Sequence, residues 1–171
     1  MIIENVTNQQ EVLVKMVLDT WYAKTAQLDK LLSDLSDEQL MEEVAPGRNR
    51  GFYLLGHLTT LADSIFPLLG YEKQAAHLWE PYVKMPDKKN DDLPTVSDLR
   101  KDWTIVITVL REKLAGISVQ EWFEKHTAVT KEDFLREPHR NKLNVILSRL
   151  GHLDYHLGQM QFLKPRGENG E

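Results

Sequence analysis

Cysteine is absent from the 171-residue sequence. That excludes disulfides, thiolate zinc sites, iron–sulfur clusters and a cysteine nucleophile. It suits a reducing compartment, and a cytoplasmic location is expected. Positive charge is in deficit: 21 Lys and Arg against 26 Asp and Glu give a formal net charge of -5. No basic stripe interleaved with aromatics is present, so nucleic acid is not an expected partner. No apolar run approaches the roughly 18 residues needed to span a membrane. The opening MIIENVTNQQ lacks the basic flank, apolar stretch and cleavage site of a signal peptide. Membrane association is therefore not expected. Low-complexity tracts, internal repeats and domain linkers are also missing, which leaves one domain over residues 1–171 with a frayed tail at 164–171. With 42% hydrophobic and 27% charged residues the composition is globular, and the length allows a core without covalent staples.

What is present is helical spacing. Val14, Leu18, Trp21, Leu28, Leu32 and Leu35 recur at steps of three and four, with Thr25 in the remaining slot, and predict a helix over about 8–33. Ser36 reads as the N-cap of a short helical turn. Leu54, Leu58, Leu61, Ile65 and Leu68 predict a second helix over 49–69, disturbed near its end by Pro67 and stopped by Gly70. Three prolines and a charge run make residues 71–94 a long connection, of a length associated with lids. A third helix is expected from an N-cap at Ser97 to Leu114, followed by a short one capped by Ser118. Residues 127–138 read as irregular. Ile146, Leu150, Leu153 and Leu157 predict a fourth helix over 139–163. Val145, Met160 and Leu163 lie off its main stripe, as expected of a helix buried on several sides or meeting a second subunit. The fold class is all-α: a four-helix bundle with short accessory helices.

Six histidines stand in the chain. His152 and His156 are four apart on one helix, so their rings stack one turn apart and can share a metal. Their sector also holds Val145 and Leu163 and is edged by Ser148, Arg149, Gln159 and Met160, which is unlike a solvated face. Two half-buried histidines need partners. A metal is one, and hydrogen bonds to Ser148 or Gln159 are the other. His57 lies mid-helix at the edge of the second helix's apolar stripe. A lone histidine there is usually a hydrogen-bonded core residue, but a bundle can bring ligands from facing helices together. Three imidazoles with open positions would describe a catalytic site. Zinc, nickel, iron or cobalt would accept them, so the metal is undecided. His77, beside Trp79 in the long connection, could line a pocket mouth. His126 and His139 read as surface residues.

The segments GRNRGFYLLGHL (47–58) and GHLDYHLGQMQFL (151–163) resemble the DinB-like superfamily of metalloenzymes, which includes the YfiT-like bacillithiol S-transferases. The resemblance implies an up-down-down-up bundle with the second and third helices parallel. It also implies one divalent metal, zinc or nickel foremost, held by His57 and the His152/His156 pair. Gly158-Gln159 match the step that often follows the pair. Homodimers are frequent in the superfamily, so a homodimer is expected here. Two positions depart from the pattern. Leu157 follows the last ligand where members often carry arginine or another polar residue. Arg50-Gly51-Phe52 stands where the thiol-transferase branch has a Trp-Ser-type start to its second helix.

Two functions follow as expectations. One is a metal-dependent enzyme, a hydrolase or thiol S-transferase acting on a small molecule or with a thiol cosubstrate. His57, His152 and His156 would be ligands, and Tyr53, Gln159, His77 and Trp79 supporting or substrate contacts. The catalytic residues are unassigned, because Asp63 and Asp154 lie on other sectors of their helices. The alternative is a non-catalytic, dimeric bundle that binds a metal or ligand. Histidine ligation would make metal affinity fall as pH drops through about 6.5.

Overall fold

Short polar side chains decide where most of the helices begin. In the computed structural model, which describes residues 2–89 and 93–165, α1 spans Ile2–Asp34. Ser36 and Gln39 form a reciprocal capping box that opens α2 (Asp37–Leu40). Ser118 and Glu121 do the same for α6 (Val119–Trp122). Thr95, Thr130 and Asn141 each accept a backbone N–H at the starts of α5 (Val96–Ala115), α7 (Lys131–Arg136) and α8 (Lys142–Met160). No strand occurs among the described residues, so the fold is all-α. From residue 166 onward the expected frayed tail lies outside the described residues.

The elements differ from expectation where capping or proline chemistry overrides periodicity. The cap of α5 is Thr95 rather than Ser97, because the Thr95 hydroxyl accepts the Asp98 N–H at 3.1 Å. The 127–138 stretch contains α7, which buries no residue and so leaves no apolar stripe to read. The helix expected over 49–69 is divided into α3 (Gly51–Asp63) and α4 (Ile65–Leu69). Pro67 has no N–H to offer the Asp63 carbonyl, and its ring crowds that carbonyl. Gly70, at φ 89°, then takes the left-handed turn that ends α4.

The α3–α4 segment is the centre of the core. Gly51–Leu69 is long and apolar enough to cross a membrane, with a mean hydropathy of 1.2, yet 72% of it is buried inside the fold. Counting unbroken apolar residues misses it because Thr59, Thr60 and Asp63 interrupt the run. Both threonines bury their hydroxyls by bonding carbonyls one turn back, Leu55 O at 2.8 Å and Gly56 O at 2.7 Å. Around this segment, α3 packs on α5 and α8, and α1 packs on α8. Trp103 Nε1 donates to Asp29 Oδ1 at 2.7 Å, and Arg111 lies over the Tyr22 ring. Lys24 pairs with Asp154, and Lys164 with Asp34. Val145, Met160 and Leu163, which suggested a subunit interface, are buried within the chain itself. Leu163 closes against Gly51, where a side chain would collide with it.

The long connection folds back onto α3. It makes a 3-10 turn at Ala76–Leu78 and a π-helical turn at Glu80–Lys84. Leu78 and Tyr82 are fully buried. Asp63 Oδ1 accepts the Gln74 and Ala75 N–H groups and fixes the start of the turn.

Candidate metal centre

His57 sits midway along α3, and its neighbours in sequence determine how its ring is held. Gly56 has no side chain, and the Tyr82 ring occupies the space a Cβ would need. That close approach sets the Tyr82 carbonyl 2.8 Å from His57 Nδ1. One turn earlier, the Tyr53 ring lies nearly parallel to the imidazole, at 8°, and its hydroxyl donates to the Met85 carbonyl at 2.8 Å. Residues 82–85 are thus tied to α3 at two carbonyls.

A third tie lies at the start of α3. Asp87 accepts the Arg50 backbone N–H at 2.8 Å and pairs with its guanidinium at 2.6 and 3.0 Å. Burial opposes ionisation of Asp87, but the hydrogen bonds and charge of Arg50 outweigh it and hold the carboxyl below the usual range.

The other two rings come from α8, where the i,i+4 spacing stacks them. His152 Nε2 lies 3.1 Å from His57 Nε2 and 3.0 Å from His156 Nε2. All three nitrogens fall within 4.8 Å of one another. A metal about 2.1 Å from each nitrogen would hold them about 3.0 Å apart at right angles and about 3.4 Å apart at the tetrahedral angle. The observed separations meet the first figure and come near the second.

The outer hydrogen bonds fix which nitrogen faces inward. A carbonyl only accepts, so His57 Nδ1 donates its N–H to Tyr82 O, and in the neutral ring the lone pair then lies on Nε2. His156 Nδ1 faces Gln159 Oε1 at 2.7 Å and donates in the same way. Two lone pairs therefore point toward His152 Nε2. This is the pattern of metal-binding histidines, whose second nitrogen is bonded to an acceptor. His152 has no bond at Nδ1 among the described residues.

Burial first, then the neighbouring His156 and His57, then Arg149, push the pKa of His152 down to about 4. Burial also lowers that of His156, against the opposing bond to Gln159. Both imidazoles are thus neutral, as a ligand must be.

The sequence candidates fall into two groups. Tyr53 and Gln159 lie at the cluster in supporting positions. His77 instead pairs with Asp102 at 3.1 Å and is 59% exposed, while Trp79 stacks beneath the Lys73 ammonium. Neither adds an atom to the three-histidine group. No carboxylate joins the group among the described residues. Asp154 is paired with Lys24, and Asp63 holds the 74–75 backbone.

Three residues have roles at the cluster that the sequence does not assign. Tyr82 acts through its backbone carbonyl, which leaves no residue-type signal. Tyr155 is exposed, and its ring lies 5.0 Å from that of His156. Arg149, three residues before His152, lowers the proton affinity of that ring, and its position on the same helical face was the available clue. Comparison with known families and with curated proteins gives no match to this chain.

Proposed function

We propose that this chain is a metal-dependent enzyme of the DinB-like superfamily, holding one divalent metal through His57, His152 and His156. The observation that carries the reading is the bond from His57 Nδ1 to the Tyr82 carbonyl, which leaves a bare Nε2 facing the His152/His156 pair. Such a metal would supply Lewis acidity, lowering the pKa of water or a thiol at its open positions. His57 is held by Tyr53 and the 82–85 backbone, and His156 by Gln159. Tyr155 offers a substrate an aromatic surface beside the cluster.

An up-down-down-up four-helix bundle is the arrangement we infer for α1, α3–α4, α5 and α8. Pairings along the helices support it. Asp29 meets Trp103 and Tyr22 meets Arg111, so α5 runs opposite to α1. Lys24 meets Asp154 and Asp34 meets Lys164, so α8 runs with α1. Gly51 meets Leu163 and His57 meets His152, so α3 runs opposite to α8. It follows that α3 and α5 run the same way, which needs a connection long enough to return along a helix length.

The reaction is hydrolysis or thiol S-transfer on a small molecule. The metal-loaded protein should be assayed against activated esters, and against a small thiol with an electrophile. Turnover that needs metal and disappears in His152→Ala supports the enzyme. The second reading is a metal-binding module without catalysis, and the lack of a carboxylate base in the cluster among the described residues favours it. Tight metal binding with no turnover in either assay would establish that reading instead.

A further inference from the structure

Arg149 is half-buried, and its Nε has neither solvent nor a hydrogen-bond partner among the described residues. It makes no ion pair there, whereas Arg50, Arg100, Arg136 and Arg140 each meet a carboxylate. A guanidinium partly withdrawn from water, with no counter-charge among the described residues, is costly, and a bound anion would relieve that cost. The space beside it has that character. A cavity of about 230 Å³ is lined by Arg149, His126, Arg140, Asn144 and Ser148, with Leu68 on its apolar wall and no acidic side chain.

His126 was expected at the surface, but its Nδ1 is buried and unpartnered. Burial, then Arg140 and Lys125, lower its pKa, so it is a neutral ring with an N–H to offer. Arg140 gives one nitrogen to Glu137 and keeps the rest of its fork.

We propose that this cavity binds the carboxylate or phosphate group of a small molecule, with Arg149 as the principal contact and His126, Arg140 and Ser148 as further donors. The geometry relates the cavity to the histidines. Arg149 also borders, with Leu58, Leu61 and Trp103, the narrow gap beside His152. Ser148 and Asn144 are one and two turns from His152 on α8, about 6 and 12 Å along the helix. An acid group held here would leave the rest of a small molecule within reach of the three rings. The anion site itself does not depend on a metal. Only the identification of its occupant as a substrate rests on the reading proposed above.

The test uses the full chain, with and without added zinc, titrated with inorganic phosphate and with acetate. Amide and side-chain NMR signals report the position of binding. Saturable shifts at Arg149, His126 and Ser148 are expected without zinc. The tighter of the two probes identifies the acid group as phosphate or carboxylate. In Arg149→Gln the affinity should fall about tenfold, the loss of one charge-assisted contact. Ser148→Glu, at an exposed position on the cavity wall, should place a carboxylate in the cavity and repel the anion, which gives a second variant should the first fold poorly. Equal affinity in Arg149→Gln and the unaltered protein would overturn the proposal. So would shifts that appear only with zinc and only around His57, His152 and His156, although those would leave the metal reading standing.

Discussion

The Tyr82 carbonyl stands 2.8 Å from His57 Nδ1, and this backbone contact connects the long connection to the candidate metal centre. It depends on Gly56, since only a glycine lets the Tyr82 ring lie against α3 at that level. The π-helical turn at Glu80–Lys84 carries the same tyrosine, consistent with such turns occurring where a site needs an irregular backbone.

Gly56→Ala should therefore damage both stability and the site. The added methyl meets a fully buried ring with no room to move, and overpacking of this kind costs about 1–3 kcal/mol. Urea unfolding should show that loss, and metal affinity should drop with it as the Tyr82 carbonyl is displaced. A variant as stable as the parent, with unchanged affinity, would contradict the assigned role of Gly56.

Gln159→Leu removes the acceptor from His156 Nδ1 and should spare the fold, because Gln159 is half-exposed on α8. Partners of this kind are worth about 10- to 100-fold in metal affinity. Competition with a chromogenic chelator measures it directly. An affinity within twofold of the parent would show that Gln159 does not orient the ring.

Acidification should weaken the metal-free fold. A histidine in the unfolded chain titrates near about 6.5, whereas folded His152 is pushed down to about 4. Between those values the unfolded chain binds more protons, so stability falls as pH falls through that window. For the same reason, metal should stay bound at His152 well below the ordinary histidine range, lower than the sequence alone suggests. Thermal unfolding of chelator-treated protein from pH 7 to 4.5 should show a falling midpoint, with a smaller drop in His152→Ala. A flat or rising midpoint would contradict the buried, neutral state of the ring.

Association needs a different surface from the one first expected, because Val145, Met160 and Leu163 are used inside the chain. Leu13 and Met16 on α1 and Leu147 on α8 are exposed instead, and Leu13 and Leu147 line one shallow apolar groove. We propose that a homodimer uses this face in two-fold fashion. Sedimentation should give twice the 19.8 kDa chain mass, reverting to a single chain in Leu147→Glu. A 19.8 kDa species throughout the micromolar range would exclude the dimer.

The fold class and the three histidines were legible because both rest on periodicity. The 3.6-residue repeat marks the apolar stripes, and the four-residue step between His152 and His156 survives folding unchanged. His57 was legible from its place at the edge of the α3 stripe. What could not be read rests on the backbone or on long-range contact. The Tyr82 carbonyl carries no side-chain signature. His77 and Trp79 share a segment with Tyr82, yet their partners, Asp102 and Lys73, turn them elsewhere. That Arg149 has no counter-charge among the described residues shows only once the neighbouring helices are in place.

We propose that the three Nε2 atoms form one metal site. Titration with zinc or nickel, followed by elemental analysis after gel filtration, tests it most directly. One equivalent per chain is expected for the parent protein, with loss of that equivalent in each of His57→Ala, His152→Ala and His156→Ala while the helical signal is retained. A parent protein that binds no metal, or a His57→Ala variant that keeps its full equivalent, would contradict the account.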